Sequence, residues 1–247
     1  MKTKIIFLLF FLPCTAFSQA WQWAKQIGGD GEDAALIADI DSEGKVYIYG
    51  NYAVPFNTTN YSDCYFETDT LFGSDDAFVA KYDATGNPVW IKNCTSPLGS
   101  VRIWFVHDEQ NNVSYVSGTY DLSCIIDTCH LISNYFNTAF LAKLDNDGNC
   151  IWAKNISVPS PATINSGPMA IDDDGYIYVS GSANAQVTIG TNTLNAGTYF
   201  AKFDASGNNV WAETKLEWTG FQTQIKFNSL KIFNNSIFAA GPAHLPT

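Results

Sequence analysis

The sequence predicts an all-β fold assembled from repeated antiparallel units, and three observations carry that prediction. The first is composition: of 247 residues, 46% are hydrophobic and 15% aromatic, while only 15% are charged. This apolar content can offset the entropy of ordering the chain. The place of the missing charges is taken by Asn, Thr, Ser and Gly, the residues of polar turns between half-buried strands. The second is a phrase that returns about every 60 residues, its Trp recurring as Trp90, Trp152 and Trp211 at spacings of 62 and 59. The third is repeated Asp-x-x-Gly turn chemistry between β-branched and aromatic runs.

Residues 1–18 are excluded from the fold. Lys2 and Lys4 precede an apolar run over 5–12, then Pro13 and a small or polar stretch, which is the layout of a secretory signal peptide cut after Ser18. The run is far short of the roughly 20 residues that a membrane span needs. The alternative is a lipoprotein signal acylated at Cys14, but Pro13 occupies the position where such a signal wants a small residue. Cleavage removes two lysines and no acid, taking the formal net charge from −11 to −13. Phosphate backbones and anionic lipid surfaces are therefore poor partners. No nucleic acid and no membrane insertion are expected, and export ends in the periplasm, at the cell surface or outside.

The region 19–247 opens with Trp23-Ala-Lys-Gln, which matches the last strand of a unit and reads as one outer strand. Three units follow, over about 24–95, 96–156 and 157–216, with a partial fourth over 217–247. The first phrase reads Phe78-Val-Ala-Lys-Tyr-Asp83-Ala-Thr-Gly86-Asn87-Pro-Val-Trp90-Ile-Lys92. It returns as Phe140-Leu-Ala-Lys-Leu-Asp145-Asn-Asp-Gly148-Asn149-Cys-Ile-Trp152-Ala-Lys154. The third copy, Phe200-Ala-Lys-Phe-Asp204-Ala-Ser-Gly207-Asn208-Asn-Val-Trp211, is read with one residue missing after its Phe. A second phrase keeps the same beat: Ile40-Asp-Ser-Glu-Gly44-Lys-Val-Tyr-Ile-Tyr-Gly50, then a copy ending Asn112-Val-Ser-Tyr-Val-Ser-Gly118. It recurs as Ile171-Asp-Asp-Asp-Gly175-Tyr-Ile-Tyr-Val-Ser-Gly181 and Ile232-Phe-Asn-Asn235-Ser-Ile-Phe-Ala-Ala-Gly241.

Both phrases read as hairpins. Asp caps the turn through its side chain and Gly accepts the positive φ; where Gly is absent, Asn112 and Asn235 stand in, Asn being tolerant of left-handed geometry. Each unit then holds four antiparallel strands, the second ended by Gly and the fourth carrying Trp. The runs Val-Tyr-Ile-Tyr and Ile-Tyr-Val-Ser scarcely alternate, as strands buried on both faces should. Four-stranded repeats of this kind describe the blades of a β-propeller. The strand count gives three full blades and a partial fourth, and even with the opening strand added the fourth lacks its third strand. Four blades would be the smallest ring of the usual range of roughly four to eight. The expectation is therefore a fragment of a larger propeller, cut short after Thr247.

At these residues the chain resembles the secreted bacterial β-propeller repeat family known as SBBP repeats. Units of that family carry Phe-Val-Ala-Lys-Leu-Asp-x-x-Gly-Asn-x-x-Trp and Asp-x-x-Gly-Asn-x-Tyr-x-x-Gly phrases. The resemblance covers 21–241. It departs over 107–112, which has an extra residue, and over 51–76, which holds a longer insertion. It implies a secreted or surface protein with a binding or scaffolding role, in a family often exported by type IX secretion through a C-terminal sorting domain. The phrase around Trp90, Trp152 and Trp211 is also similar to the docking motif of quinoprotein dehydrogenases, but the turn is shorter and no adjacent cysteine pair accompanies it.

After loss of Cys14, Cys64, Cys94, Cys124, Cys129 and Cys150 remain. Cys124 and Cys129 would bridge if the segment between them forms a hairpin, and the odd number leaves one thiol unpaired. No zinc-site spacing is present, and His107, His130 and His244 provide no second ligand pair, so no metal and no cofactor are expected. Asp39-Ile-Asp41-Ser-Glu43-Gly44 has the alternating acids of a calcium loop, but a solvated acidic turn is the favoured reading. Catalytic residues are expected to be none: the acids sit in hairpin turns, and His107 and His130 read as surface residues. Variable connections over 51–76, 119–138 and 182–198 are where binding would sit, with Tyr52, Tyr61, Tyr65 and Tyr135 able to stack on sugar rings. The expected function is non-enzymatic binding of an extracellular protein or glycan. The alternatives are a propeller enzyme acting on polysaccharide and a truncated fragment without activity of its own.

Overall fold

The computed structural model describes residues 22–29, 33–52, 63–67, 69–72, 76–96, 101–157, 162–217 and 227–242. The leader, Tyr61 and His244 lie outside them. The described residues are all-β and contain no helix. In chain order the first repeat unit comprises β1 (Ala34–Ile40), β2 (Val46–Tyr52), the short separate pair β3 (Cys64–Tyr65) and β4 (Thr70–Leu71), then β5 (Asp76–Tyr82) and β6 (Pro88–Thr95). The second comprises β7 (Arg102–Asp108), β8 (Val113–Tyr120), the hairpin β9 (Ser123–Ile126) and β10 (Cys129–Ile132), then β11 (Thr138–Leu144) and β12 (Cys150–Asn155). The third comprises β13 (Ile164–Ile171), β14 (Ile177–Ala183), the hairpin β15 (Val187–Ile189) and β16 (Asn192–Leu194), then β17 (Gly197–Phe203) and β18 (Asn209–Glu217). A last pair, β19 (Ser229–Phe233) and β20 (Ser236–Ala240), completes the chain of strands.

Four strands run in the same antiparallel order each time: β1-β2-β5-β6, β7-β8-β11-β12 and β13-β14-β17-β18, and none of these sheets closes on itself. Each connection between second and third strands holds a small hairpin of its own, where the sequence suggested loops. One of them alters the architecture, because β9 pairs with β6 and extends the first sheet to six strands. The opening outer strand is not formed: residues 22–27 have no strand partner among the described residues.

Successive sheets pack face to face, with β7 against β1, β2 and β5, β13 against β7, β8 and β11, and β19 against β13. This explains the lack of alternation in the inner strands. In β5, buried throughout, Ala77 and Val79 join the core shared with the second sheet, while Phe78, Ala80 and Tyr82 join the core on the other face. In β11, Phe140, Ala142 and Leu144 face the first sheet and Ala139 and Leu141 face the third.

The turns form as the Asp-x-x-Gly chemistry requires. Asp83 Oδ1 accepts from Thr85 N (2.9 Å) and Asn87 N (2.8 Å), and Asp145 and Asp204 repeat the pattern within 0.1 Å. The Asn87 amide and the Thr85 hydroxyl, with the other donors of the turn, hold the Asp83 carboxyl down to about 2. Asn112 and Asn235 take φ of 53° and 58°, as expected of residues replacing Gly. The third phrase, however, lacks no residue. Gly50, Gly118 and Gly181 pair with Phe78, Phe140 and Tyr199, so Tyr199 and not Phe200 is the equivalent aromatic. An aromatic ring lies over each of these glycines, and a Cβ on Gly118 would fall 2.7 Å from the Phe140 ring.

The recurring Trp and Lys join one sheet to the next. Trp90 Nε1 on β6 donates to Asn146 O in the turn of the second sheet (2.9 Å), and Lys81 bonds the Asn146 side chain. Lys92 reaches Asn149 Oδ1 (3.3 Å) of the same turn. One sheet on, Lys143 reaches Ala205 O (3.4 Å), Lys154 reaches Ser206 O (2.6 Å), and Gly207 lies against the Trp152 ring. Trp23 donates to Ala84 O (3.2 Å) and lies with Lys25 against Gly86, as Trp90 and Lys92 lie against Gly148, so the opening segment occupies a fourth-strand position by its side chains without strand pairing.

Candidate functional site

Strand register separates the two ends of the sheets. Arg102 pairs with Thr119 and Thr138 with Tyr120, so the first strand starts, the second ends and the third starts at one end. The same holds for Ala34, Asn51 and Asp76 in the first sheet. The repeated Asp turns therefore crowd one end, and the irregular connections with their hairpins crowd the other.

At the irregular end a 220 Å³ pocket opens between the second and third sheets, lined by β7, β8, β13, β14 and the residues preceding β19. Among the described residues its lining is hydroxyl and amide groups, backbone of Gly167 and Gly181, the rings of Trp104 and Phe227, and the side chain of Arg102. Trp104 Nε1 donates to Ser166 O (3.1 Å), which fixes the ring as a wall, and Ser166 Oγ lies 2.9 Å from Ser117 Oγ. A bulge in β13 between Ser166 and Met169 lies at the pocket wall, where Ser180 Oγ donates to the bulged Pro168 O (3.0 Å). The corresponding space between the first and second sheets is crossed by Asn51, whose Nδ2 reaches Val101 O (2.6 Å). Thr119 holds the Asn51 position in the second sheet and is shorter. Two larger depressions, of 370 Å³ around Gly28 and Tyr65 and 330 Å³ around Ser157 and Asn209, combine no cation with an aromatic wall among the described residues.

The sequence-stated candidates fall elsewhere. Tyr52 is a correction: it is fully buried, its hydroxyl donating to Asn93 Oδ1 (2.9 Å), and Tyr120 repeats the contact with Asn155 Oδ1 (2.8 Å). Tyr52 therefore ties second to fourth strand and offers no face to a sugar. Tyr65 and Tyr135 are exposed at 53% and 39% and do not line the pocket. In the acidic turn, Asp41 Oδ1 accepts from Glu43 N (3.1 Å) and Lys45 N (2.8 Å), while Glu43 pairs with Lys45. Among the described residues no group of three or more His, Cys, Asp or Glu side chains is placed to hold a metal ion.

His107 is a second correction. It is buried between the first two sheets, stacked on Tyr47 at 4.0 Å, with Nε2 3.0 Å from Tyr47 Oη and Nδ1 3.0 Å from Ser114 Oγ. His130 is exposed as expected, though on strand β10. Burial lowers the His107 pKa, the Lys81 ammonium adds to this, and Asp39, Asp41 and Asp108 oppose it. A histidine whose folded pKa is depressed stays neutral while the unfolded chain takes the proton. Its stability is thus full above the ordinary value of 6.5 and is lost as pH falls below it. The urea midpoint is expected to drop between pH 7 and pH 5, ahead of the carboxylate range, and His107→Asn should flatten that slope. An unchanged slope in the variant would contradict the assignment.

The cysteines are also redistributed. The hairpin expected between Cys124 and Cys129 forms, but its register sets Cys124 opposite Leu131 and Cys129 opposite Ile126. Cys129 bonds to Cys150 on β12, and Cys64, Cys94 and Cys124 remain free and buried. Burial pushes the Cys94 thiol up to about 12, far from a reactive thiolate. In comparisons with known proteins, no family model and no curated protein matches the chain.

Proposed function

We propose that the chain is a secreted or cell-surface repeat protein of the β-propeller type, related to SBBP repeats, with a non-enzymatic binding role. One antiparallel order of four strands, repeated in three successive sheets that pack through their inner strands, supports the propeller reading, and the recurring phrases support the family. The observation that carries the binding reading is the 220 Å³ pocket at the irregular end, between sheets joined by repeated contacts. Variable segments held on a regular scaffold are the usual seat of recognition. Hydroxyl and amide groups beside aromatic walls favour a glycan over a protein ligand, and the lining suits holding a sugar better than hydrolysing one, which needs a carboxylate pair. The disulfide is compatible with an oxidising compartment.

Binding to an immobilised set of extracellular polysaccharides (galactan, xylan, mannan, alginate, polygalacturonate) tests the reading. Asn228 is exposed at the pocket rim, and Asn228→Trp should fill the mouth and weaken binding at least about tenfold. Thr85→Trp, on an exposed Asp turn at the far end, should leave it unchanged. Equal binding by wild type and Asn228→Trp would move the site elsewhere.

A further inference from the structure

We infer that the outer edge of β20 is a docking site for an extended strand of another protein, one that presents an aromatic ring over Gly241, an alanine beside Ala239 and an acidic residue beside Phe238. This surface is separate from the pocket and does not depend on it. In each of the three four-strand sets the second strand is flanked on both sides, and β2, β8 and β14 are buried at all positions but one. β20 stands in that second position in the last pair. Among the described residues it pairs with β19 alone, and three of its five residues are exposed. One face is packed, with Ile237 and Ala239 against the cluster that holds Tyr178 and Phe200 of the third sheet. The other leaves Phe238 57% exposed, beside an edge whose backbone groups bond to no described strand. Such an edge is a template for an added strand.

The three earlier sheets specify what the occupant carries. The recurring phrase aligns Gly241 with Gly50, Gly118 and Gly181, which lie opposite Phe78, Phe140 and Tyr199. Ala239 corresponds to Ile48, Val116 and Val179, whose third-strand partners are Ala80, Ala142 and Ala201. Phe238 corresponds to Tyr47, Tyr115 and Tyr178, each opposite a lysine whose ammonium lies over the ring. The last pair departs from the pattern at this position. Lys231 of β19 lies opposite Phe238, where the earlier first strands have Asp39, Val106 and Ala170. Phe233 follows Ile232 where Asp41 follows Ile40 and Asp172 follows Ile171, so the turn carboxylate is missing as well. A lysine on the incoming strand would therefore meet a like charge and no acid. A glutamate there would face Lys231 across the Phe238 ring, and unlike charges on one face of a sheet attract.

The test is fluorescence anisotropy of the full chain with a labelled peptide that copies residues 76–93, a third strand, its Asp turn and a fourth strand. The peptide is used unchanged, with Lys81→Glu, and with Lys81→Glu and Phe78→Ser together. The Lys81→Glu peptide is expected to bind about threefold tighter than the unchanged one, and Lys231→Glu in the chain, at an exposed position, should reverse that order. Adding Phe78→Ser should weaken the peptide about fivefold or more, since the ring over Gly241 is lost. In the complex, amide exchange should slow over 237–241. A peptide preference unchanged by Lys231→Glu, saturable binding that leaves exchange over 237–241 unaltered, or no binding of either peptide at millimolar concentration would each overturn the inference. A dimer in sedimentation equilibrium whose amides over 237–241 are already protected would overturn it in favour of a second copy of the chain.

Discussion

Replacing Trp90 with alanine is expected to lower the free energy of unfolding by about 3 kcal/mol, the range for removing a large, largely packed aromatic. The indole packs under the turn of the next sheet, where a Cβ on Gly148 would lie 2.8 Å from Trp90 Cδ2, and its N–H bonds Asn146 O at 2.9 Å. Truncation opens a void between two sheets and leaves the turn carbonyl without this donor. Trp90→Phe keeps most of the apolar body and should cost about 1 kcal/mol for the lost hydrogen bond. Val89, the neighbouring residue at 53% exposure, should change stability by less than about 0.5 kcal/mol on truncation to alanine. Gly148→Ala should also destabilise, since φ there is 77° and the added methyl meets the indole. Urea unfolding of this set gives the ranking; a Trp90→Ala midpoint equal to that of Val89→Ala would show that the indole does not join the sheets.

Loss of the disulfide carries the second large effect. Cys129 and Cys150 close a loop with a sequence separation of 21, for which loop-closure entropy gives about 3 kcal/mol. The bond anchors the β9–β10 hairpin, which pairs with the first sheet, to the outer strand of the second. Asp127 reinforces this junction: Oδ1 accepts from Lys92 Nζ (3.0 Å) and Oδ2 from Cys150 N (3.1 Å). Dithiothreitol should lower the midpoint of wild type and leave a Cys129→Ser, Cys150→Ser double variant unmoved. Peptide mapping should recover the Cys129–Cys150 crosslink; a Cys124–Cys129 peptide in its place would contradict the topology.

What the sequence revealed of this fold was local. An Asp that caps its own turn and a Gly or Asn at positive φ leave their signature within five residues, so the hairpins around Asp83, Asp145 and Asp204 were legible. So were the strands between them, because a strand packed on both faces reads as an unbroken apolar run. The failures share a different cause. The place of Tyr199 depended on which aromatic lies over Gly181, a cross-strand contact. Burial of His107 depended on Tyr47 from another sheet, and the partner of Cys129 on a hairpin joining its neighbour's edge. The pocket was the least legible feature, since it arises from Thr119 standing where the first sheet has Asn51 and from a bulge in β13. Its one local signal was Ser166-Gly-Pro168, a strand-breaking triplet inside an inner strand.

Recognition is expected at the irregular end of the stacked sheets. Hydrogen–deuterium exchange, with and without the tightest-binding polysaccharide of the set, tests it most directly. Protection is expected at the amides of 102–104, 165–167 and 180–182, with the Asp turns over 83–87 and 145–149 unaffected. Protection confined to those turns would place the ligand at the opposite end and contradict the account.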